Sequence, residues 1–321
     1  MVREKAARGF AKSQGIAAGG TNSGAAAPQE PSGASIVVAT YNNRKVLKRT
    51  LDSLLSQDFD GRYEVIVVND GSTDGTGEFL ERYAQGKSRL KVFHQPNSGV
   101  CRARNRGIEN AKYQIVVNMD HDCIAQKDWL QKMADGFDSP DVGIVSAYDY
   151  YGGTSTSFRK ELLDRVGGYD EQYRYYREDT DLSFKIMDLG YKFRLVKAGY
   201  FHDHRQARPK GIIALARHVL QRLRYHQNDV LLYKKHPTKV CEDFLHIKYR
   251  FLVDPLQDFR VATGTWEKGK KMNLSSPRGI VFIENKGPLH AAIIIAAGIC
   301  YAVAVKASRL VGSIKFGKLL L

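Results

Sequence analysis

The chain has 321 residues, 43% of them hydrophobic and 26% charged, which suits one large globular domain or two smaller ones and excludes a collagen-like or wholly disordered protein. The four cysteines form no C-x-x-C pair, so neither a disulfide framework nor a zinc site is indicated, and a reducing compartment fits best. The net charge of +15 is concentrated in residues 205–321, which hold 21 Lys and Arg against 7 Asp and Glu. Such a region favours polyanionic partners, either an anionic membrane surface or a nucleic acid.

Residues 1–33 are rich in Ala, Gly, Ser and Gln and show no apolar periodicity. This composition predicts a disordered N-terminal tail. The tail lacks the apolar core of about 7–15 residues that a secretory signal peptide needs. Its scattered Arg and Lys leave an organellar transit peptide open as an alternative.

Short β-branched runs alternate with helical patterns between residues 34 and 205. The runs are SIVVATY (35–41), YEVIVVND (63–70), LKVFHQ (90–95) and QIVVNMD (114–120). Continuous apolar strands separated by helices predict an α/β domain with a mostly parallel sheet, covered by helices on both faces. Ligands bind such sheets beyond the carboxyl ends of the strands. In this chain those ends carry Thr40-Tyr41, Asn69-Asp70 and Asp120-His121-Asp122.

Asp120 and Asp122 follow the fourth run directly and lie one residue apart. Both carboxylates can reach one ligand once the chain leaves the pleat, and their hard oxygen atoms suit Mg²⁺ or Mn²⁺ bound to a diphosphate. His121 between them points elsewhere if the loop stays extended. A solvated surface loop is the alternative, which the position at the end of a buried strand disfavours.

The second run ends in Asp70 and leads through a Gly/Ser/Thr turn into a helix. In that turn Asp74 or Thr73 fits an ordinary helix cap, whereas a carboxylate at Asp70 can accept a hydrogen bond from a nucleobase. Residues 97–99 (NSG) open the next predicted helix, whose first N–H groups and positive dipole end can hold an anion. This helix also carries Arg102, Arg104 and Arg106, which cannot all face one ligand.

Glu178, Asp179 and Asp181 open another predicted helix. Acids in a first helical turn are stabilising through the helix dipole, but a carboxylate here can equally act as general base toward an acceptor hydroxyl. The residues alone leave both interpretations open. They also leave open whether His202 or His204 is a metal ligand.

The chain changes character after residue 205. We predict a basic amphipathic helical extension over residues 206–265, of the kind that suits a membrane surface. We expect residues 266–321, which combine apolar and basic stretches, to be membrane-associated. A small C-terminal subdomain with one buried helix is the alternative.

Residues 288–305 form an apolar stretch without formal charge. Its length is at the short end for a transmembrane helix. Lys286 on one side, and Lys306 and Arg309 on the other, are candidate anchors at a membrane interface.

Together these motifs resemble family 2 of the glycosyltransferases, which has the GT-A fold. The likeness runs from about residue 35 to residue 204. It depends on five motifs in order, namely VVATYNN, VVNDGSTDGT, NSGVCRARNRGIENA, MDHDC and the segment that ends in REDTDLSFKIMDLGY. The resemblance implies inverting transfer of a single sugar from a nucleotide sugar, assisted by Mn²⁺ or Mg²⁺.

The resemblance also implies roles for individual residues. Asp179 would be the catalytic base, kept ionised by a nearby cation, and Asp122 and His202 would bind the metal. The residues implied in binding the nucleotide sugar are Thr40, Tyr41, Asp70, Asn97, Gly99, Arg104, Asp120 and Glu178, with Asp120 near the ribose.

The expected partners are a nucleotide-sugar donor and a glycan or lipid-linked acceptor. We expect the acceptor to be presented on the cytoplasmic side of an anionic membrane. The protein would attach to that membrane peripherally or by a single span. We expect no nucleic-acid partner, because nucleic-acid binding leaves the ordered acidic motifs unexplained. A nucleotidyltransferase of related fold is an alternative, although ATYNNRKVLKRT has no glycine after the first strand. A processive polysaccharide synthase is another alternative. QRLRY (221–225) matches the Q-x-x-R-W motif of those enzymes except at its last aromatic residue.

Overall fold

The computed structural model describes residues 33–148, 151–203, 211–263, 265–267, 271–276, 279–284 and 287–321, and only the backbone between residues 261 and 284. The tail predicted for residues 1–33, apart from Gly33, lies outside the described residues, and so does His204.

The described elements up to residue 203 alternate between strands and helices. The strands are β1 (Gly33–Thr40), β2 (Arg62–Asp70), β3 (Leu90–Gln95), β4 (Ile115–Asn118), β5 (Cys123–Ala125), β6 (Val142–Ser146), β7 (Thr156–Arg159), β8 (Lys192–Leu195) and β9 (Tyr200–His202). The helices are α1 (Arg44–Leu55), α2 (Thr76–Ala84), α3 (Val100–Glu109), α4 (Trp129–Asp135), α5 (Lys160–Val166) and α6 (Glu178–Met187).

A seven-stranded sheet forms the centre of this part, in the order β3-β2-β1-β4-β7-β6-β8. Strand β1 runs parallel to β2 and β4, with Thr40 opposite Asn69 and Val37 opposite Asn118. Strand β7 is antiparallel to both of its neighbours. The sheet is therefore mostly parallel, as predicted, and the carboxyl ends of β1, β2 and β4 meet at one edge.

Both faces of the sheet are buried. Alternate residues of β1 enter different hydrophobic clusters: Ile36 and Val38 pack with Leu47 of α1, whereas Val37 packs with Ile108 of α3. Each such side chain contributes roughly 1.5–3 kcal/mol on burial. Burial on both faces explains why the strands read as continuous apolar runs rather than as alternating ones.

Strands β5 and β9 form a separate antiparallel pair at the ligand edge of the sheet, in which Cys123 lies opposite His202. The N–H group of Asp203 donates to the carbonyl oxygen of Asp122 at 2.7 Å and extends this ladder. The pairing places a segment from much later in the chain beside the loop that follows β4.

The described C-terminal part contains more than the predicted helices. Its helices are α7 (Ile212–Tyr225), α8 (Gln227–Lys235), α9 (Lys239–Leu245), α10 (Pro255–Thr263) and α11 (Pro288–Phe316). Short strands lie between them, namely β10 (Ile247–Lys248), β11 (Leu252–Val253), β12 (Thr265–Glu267), β13 (Lys271–Ser276) and β14 (Gly279–Glu284). The predicted basic helix is thus two helices, and the second has a buried apolar segment at Val230, Leu231 and Leu232.

Helix α11 has 29 residues and, by length and composition, is long and apolar enough to cross a membrane. Its C-terminal half packs closely on α8, since a Cβ atom at Gly312 would lie 2.9 Å from the Cα atom of Gln227. In its N-terminal half, Leu289 and Ile293 are 76% and 59% exposed. The helix therefore packs on the protein through its C-terminal half and exposes apolar side chains in both halves, since Ile314 is also 79% exposed.

The charged groups expected to anchor this helix at a membrane interface are used inside the protein. Lys306 lies 2.9 Å from Asp258, and Arg309 contacts both Asp258 and Asp229 at 2.8 and 3.0 Å. The prediction that Lys306 and Arg309 serve as interfacial anchors is therefore wrong. Lys286 lies outside the described residues.

Candidate active site

Two acids and an imidazole converge beyond the carboxyl end of β4. Asp122 Oδ1 lies 3.0 Å from His202 Nε2, because the pairing of β5 with β9 sets Cys123 opposite His202. Asp120, Asp122, Cys123 and His202 each present a possible ligand atom, and these atoms lie within 4.8 Å of one another. This group is the candidate metal centre, and it includes both residues that the sequence predicted as metal ligands.

The donor atoms of this group fit Mn²⁺ or Mg²⁺. Two carboxylates supply hard oxygen atoms, and a neutral imidazole is acceptable to a first-row transition metal such as manganese. Cys123 is the least suitable member, because burial raises the pKa of its thiol. Its Sγ atom lies 3.4 Å from Thr154 Oγ1, within the buried interior. Asp120, Asp122 and His202 are therefore the candidate ligands.

Asp122 and His202 stabilise each other's charge. Burial opposes the ionisation of Asp122, but the hydrogen bond with His202 and the nearby His121 imidazole hold its pKa below the usual value. Burial also disfavours a charged His202, yet the hydrogen bond to Asp122 outweighs it and raises the pKa of the imidazole. Metal ligation requires His202 without that proton, so metal affinity should fall as the pH decreases.

Arg104 of α3 connects the candidate metal centre to the acids that open α6. Its Nη2 donates to Asp120 Oδ1 at 3.1 Å, and its Nη1 donates to Asp179 Oδ1 at 2.9 Å and lies 3.5 Å from Glu178 Oε1. The guanidinium is buried and lies 5.2 Å from the centre of the Tyr169 ring. The sequence predicted that Arg104 binds the nucleotide sugar; the structure places its charge among three carboxylates.

Asp179 occupies a partly buried, hydrogen-bonded position, and its side chain is 20% exposed. Its Oδ1 accepts from the hydroxyl of Tyr169 at 3.0 Å, and that hydroxyl accepts from Asn118 Nδ2 at 2.6 Å. Burial raises the pKa of Asp179 even though Arg104 opposes the shift. Burial, followed by the charge of Asp179, also raises the pKa of Glu178 to about 7. A carboxylate with a raised pKa is a stronger proton acceptor, which suits a general base.

The Asp70 carboxylate accepts hydrogen bonds from the loop that precedes α3. Its Oδ1 accepts from the N–H group of Ser98 at 2.9 Å and from Gln95 Nε2 at 2.7 Å, and its Oδ2 accepts from the N–H group of Gly99 at 2.9 Å. Asn97 Nδ2 donates to the Asp70 carbonyl at 3.0 Å. Asp70 is therefore itself an anion at the start of α3, and the nucleobase contact suggested for it stays a prediction.

Thr40 and Tyr41 lie at the same edge of the sheet, at the end of β1. Thr40 is buried, and its Oγ1 has no hydrogen-bond partner among the described residues, whereas Tyr41 is about half exposed. The neighbouring turn is held by Asp74, which accepts from the N–H groups of Arg44 and Thr76. Asp74 thus stabilises the turn, although the N-cap of α2 is Gly75 rather than the predicted Asp74 or Thr73.

The His121 imidazole is not one of the four groups whose possible ligand atoms lie together at the candidate metal centre. Thr50 Oγ1 donates to the carbonyl oxygen of His121 at 2.9 Å. Its Nδ1 is shielded from solvent and has no hydrogen-bond partner among the described residues. Burial lowers the pKa of this imidazole, so it stays neutral near pH 7.

Sequence reasoning missed several contributors to this site. Asn118 and Tyr169 support Asp179, and a polar residue at the end of a buried strand was the available signal for Asn118. Gly152, with φ of 107°, lies so close to Asp179 that a Cβ atom there would be 2.8 Å from the Asp179 Cβ and carbonyl oxygen. The adjacent glycines at 152 and 153 were the signal for that close approach.

Comparison with known proteins identifies the family to which the chain belongs. Residues 35–205 match the profile of the family described as Glycosyl transferase family 2. The match spans more than half of the chain, so the protein belongs to this family and is a glycosyltransferase. The predicted family is confirmed.

A solved structure supports the GT-A-like fold. The mannosyltransferase from Pyrobaculum calidifontis, determined in complex with GDP-Man and Mn²⁺, is similar over 90% of this chain and 75% of that chain, with a TM-score of 0.53 and 19% sequence identity. The predicted fold class, a mostly parallel α/β sheet with a helical C-terminal part, is confirmed.

Two sequence relatives each match about a third of the chain. EpsH of Bacillus subtilis (strain 168), whose name describes it as a glycosyltransferase, is 38% identical over 99 residues, which are 31% of this chain and 28% of that protein. The poly-beta-1,6-N-acetyl-D-glucosamine synthase of Staphylococcus aureus (strain COL) is 31% identical over 118 residues, which are 36% of this chain and 28% of that protein. The matched segments thus span less than a third of either relative.

Proposed function

We propose that the protein transfers a single sugar from a nucleoside-diphosphate sugar to an acceptor hydroxyl or phosphate by metal-assisted single displacement, with inversion at the anomeric carbon. The observation that carries this proposal is the double contact of Arg104. One of its nitrogens bonds Asp120 beside the candidate metal ligands, and the other bonds Asp179. A single buried guanidinium thereby fixes the separation between the donor side and the candidate base, which favours a reactive geometry.

On the donor side, Asp122 and His202 would hold Mn²⁺ or Mg²⁺, with Asp120 near the ribose. The bound cation supplies Lewis-acid stabilisation of the charge that develops on the diphosphate leaving group. GDP-Man and Mn²⁺ in the similarly folded mannosyltransferase support a nucleotide sugar and a divalent cation here. The remaining residues that we propose to contact the donor lie along the same edge of the sheet and in the acidic pair, namely Thr40, Tyr41, Asp70, Asn97, Gly99, Arg104 and Glu178.

On the acceptor side, Asp179 would take the proton from the attacking hydroxyl. Tyr169 and Arg104 both donate to its Oδ1, and these two bonds orient the carboxylate. Its raised pKa increases its strength as a base. Gly152 packs against Asp179, so the loop around residues 151–153 lies where an acceptor would approach.

We further propose that the acceptor is a lipid-linked glycan, or another glycan presented at a membrane, reached from the cytoplasmic side. Among the described residues, fifteen of the twenty exposed large hydrophobic side chains lie after residue 205. That part of the chain also carries most of the net positive charge. Exposed apolar area beside cationic side chains favours an anionic membrane surface, to which α11 would attach peripherally or as a single span.

A second candidate function is repeated addition of sugars to one growing chain. It is favoured by the matched segment of the Staphylococcus aureus synthase and by the position of Tyr225 in QRLRY. The centre of the Tyr225 ring lies 5.0 Å from that of Tyr175 and 6.1 Å from that of Tyr176, which Arg177 separates from the acidic pair. Chain-length analysis of the product decides between the two, since single transfer gives one added sugar per acceptor.

The reaction is tested by a screen of nucleotide sugars for hydrolysis and transfer with Mn²⁺ or Mg²⁺. We expect Asp122→Ala to abolish metal-dependent turnover, and Asp179→Asn to retain donor binding but lose transfer. Asp164→Asn, which changes an exposed acid of α5, is the control and should leave turnover unchanged. Transfer by Asp179→Asn at the wild-type rate would contradict the assignment of the base.

Membrane attachment is tested by co-sedimentation of the full chain with phosphatidylserine-containing vesicles at low salt. We expect binding that weakens as the salt concentration rises. A chain in which Leu289 and Ile293 are both replaced by Ser, which removes exposed apolar groups without altering charge, should bind less. An unbound wild-type chain at low salt would contradict this part of the proposal.

A further inference from the structure

Helix α6, which carries Glu178 and Asp179, begins in an unusual way. The two residues before it, Tyr176 and Arg177, have φ angles of 73° and 78°, in the left-handed region that costs a non-glycine residue roughly 1–2 kcal/mol. Among the described residues, no side-chain cap hydrogen bond is made at the N-cap of this helix, Arg177. The conformation of this turn must therefore be maintained by contacts from outside α6.

Helix α8 supplies those contacts. Asn228 Nδ2 donates to the carbonyl oxygens of Tyr175 and Tyr176, both at 2.9 Å. The next residue, Asp229, accepts from Arg177 Nε through its Oδ1 at 2.7 Å. Two adjacent residues of α8 thus bind the backbone and the side chain of the left-handed turn.

Asp229 is also bound by the apolar helix α11. Arg309 donates to Asp229 Oδ2 through Nε at 3.1 Å and Nη2 at 3.0 Å, and through Nη1 to both oxygens of Asp258 at 2.8 Å. Asp229 is fully buried, which opposes its charge, but Arg177 and Arg309 hold its pKa well below the usual range. A continuous chain of charged contacts therefore leads from α11 through α8 to the start of α6.

We propose that Asp229 is a positioning residue for sugar transfer: by binding Arg177 in its left-handed conformation, it sets the start of α6 and hence the direction of the Asp179 carboxylate. The proposal rests on the function of Asp179 proposed above. The proposal makes the C-terminal helices part of the geometry of the active site, because Asp229 lies in α8. Neither Asp229 nor Arg177 is a candidate ligand of the nucleotide sugar or of the metal. A displacement of the base by about 1 Å can cost about 100-fold in rate.

The first test compares Asp229→Asn with Asp258→Asn in steady-state transfer assays of the full chain. Both substitutions remove one buried carboxylate that binds Arg309, but only Asp229 contacts Arg177. We expect Asp229→Asn to lower kcat by about 10- to 100-fold and to change the donor KM by less than about 2-fold. Asp258→Asn should keep kcat within about 2-fold of wild type, with both variants assayed below their unfolding temperatures. Equal kcat values for the two variants would overturn the proposal.

The second test asks whether the left-handed backbone is the element that Asp229 maintains. Arg177→Gly and Arg177→Gln are each combined with Asp229→Asn, since both remove the same cation but only glycine adopts a positive φ without strain. We expect the glycine double variant to recover kcat to within about 5-fold of wild type, and the glutamine double variant to remain as slow as Asp229→Asn. Equal rates for the two double variants would refute the positioning role.

A third variant covers the case in which Asp229→Asn does not fold. Asn228→Ala removes the hydrogen bonds to the two carbonyls of the turn and leaves every ion pair intact, so it should lower kcat without changing the donor KM. A wild-type kcat in Asn228→Ala would count against the proposal. A failure of the proposed function itself would be recognised by a different result, namely sugar transfer by Asp179→Asn at the wild-type rate.

Discussion

Replacing Glu178 with Gln should stabilise the folded protein, relative to wild type, increasingly as the pH rises. The Glu178 carboxyl is buried beside Asp179, and burial, followed by the charge of Asp179, raises its pKa from 4.5 to about 7. Because the pKa is higher in the folded than in the unfolded state, the folded protein holds this proton more tightly, and ionising Glu178 costs stability. The cost is absent well below pH 4.5 and complete well above pH 7.

The size of the effect follows from the two pKa values. A rise from 4.5 to about 7 corresponds to a total cost of ~3 kcal/mol, at 1.36 kcal/mol for each pKa unit. At pH 5 about 1 kcal/mol of this cost is present, and at pH 8.5 nearly all of it. The free-energy difference between Glu178→Gln and wild type should therefore grow by ~2 kcal/mol between these two pH values.

Urea unfolding at pH 5 and pH 8.5, followed by circular dichroism, measures this change. The buffers should contain EDTA, so that metal binding at the candidate metal centre does not contribute. Glu161→Gln, which changes an exposed acid of α5, is the control and should show no such increase. A difference that is the same at both pH values, or that shrinks toward pH 8.5, would refute the role of burial in raising the pKa of Glu178.

Three further outcomes follow from the same site. Arg104→Lys keeps the charge but cannot bond Asp120 and Asp179 together, so kcat for transfer should fall by about 10- to 100-fold in steady-state assays; a wild-type kcat would contradict this. His202→Ala should weaken Mn²⁺ binding, measured by titration calorimetry, by at least about 10-fold, because even residues that only hydrogen-bond a metal ligand contribute that much to metal affinity. Unchanged affinity would exclude His202 as a ligand. Gly152→Ala places a Cβ atom against Asp179 and should reduce transfer. Gly86 also has a positive φ, 72° against 107° for Gly152, but a Cβ atom there would meet nothing within 4 Å, so Gly86→Ala should reduce only the melting temperature. Equal activity of the two variants would contradict the contact.

The sheet and its ligand edge could be predicted from the sequence because both depend on local patterns. Residues such as Val37 and Val67 are buried on opposite faces of the sheet, which produces the continuous apolar runs. The polar residues that follow the runs mark the ends of parallel strands, and these meet at one edge for topological reasons. The acidic motif at Asp120 and Asp122 could be placed at this edge before any tertiary contact was known.

The partners of the charged side chains could not be predicted in the same way. The contact between Asp122 and His202 depends on the pairing of two three-residue strands far apart in the chain, and the resemblance to a family, not the pattern, pointed to it. Arg104 lies on a helix with two other arginines, and only packing decides which of the three is buried. Lys306 and Arg309 beside an apolar stretch looked like membrane anchors, because sequence does not show the buried acids of α8 and α10 that they bind.

The charge balance of the site favours the divalent cation that we propose for it. Its four carboxylates, from Asp120, Asp122, Glu178 and Asp179, face one arginine and one histidine. Burying an excess of negative charge is costly, and part of it is relieved because Glu178 retains a proton on a fraction of the molecules near pH 7. A nucleoside diphosphate would add further negative charge where Arg104 already binds three carboxylates. The proposed divalent cation would offset both the acids and the diphosphate, so we expect metal binding and donor binding to be mutually dependent at this site.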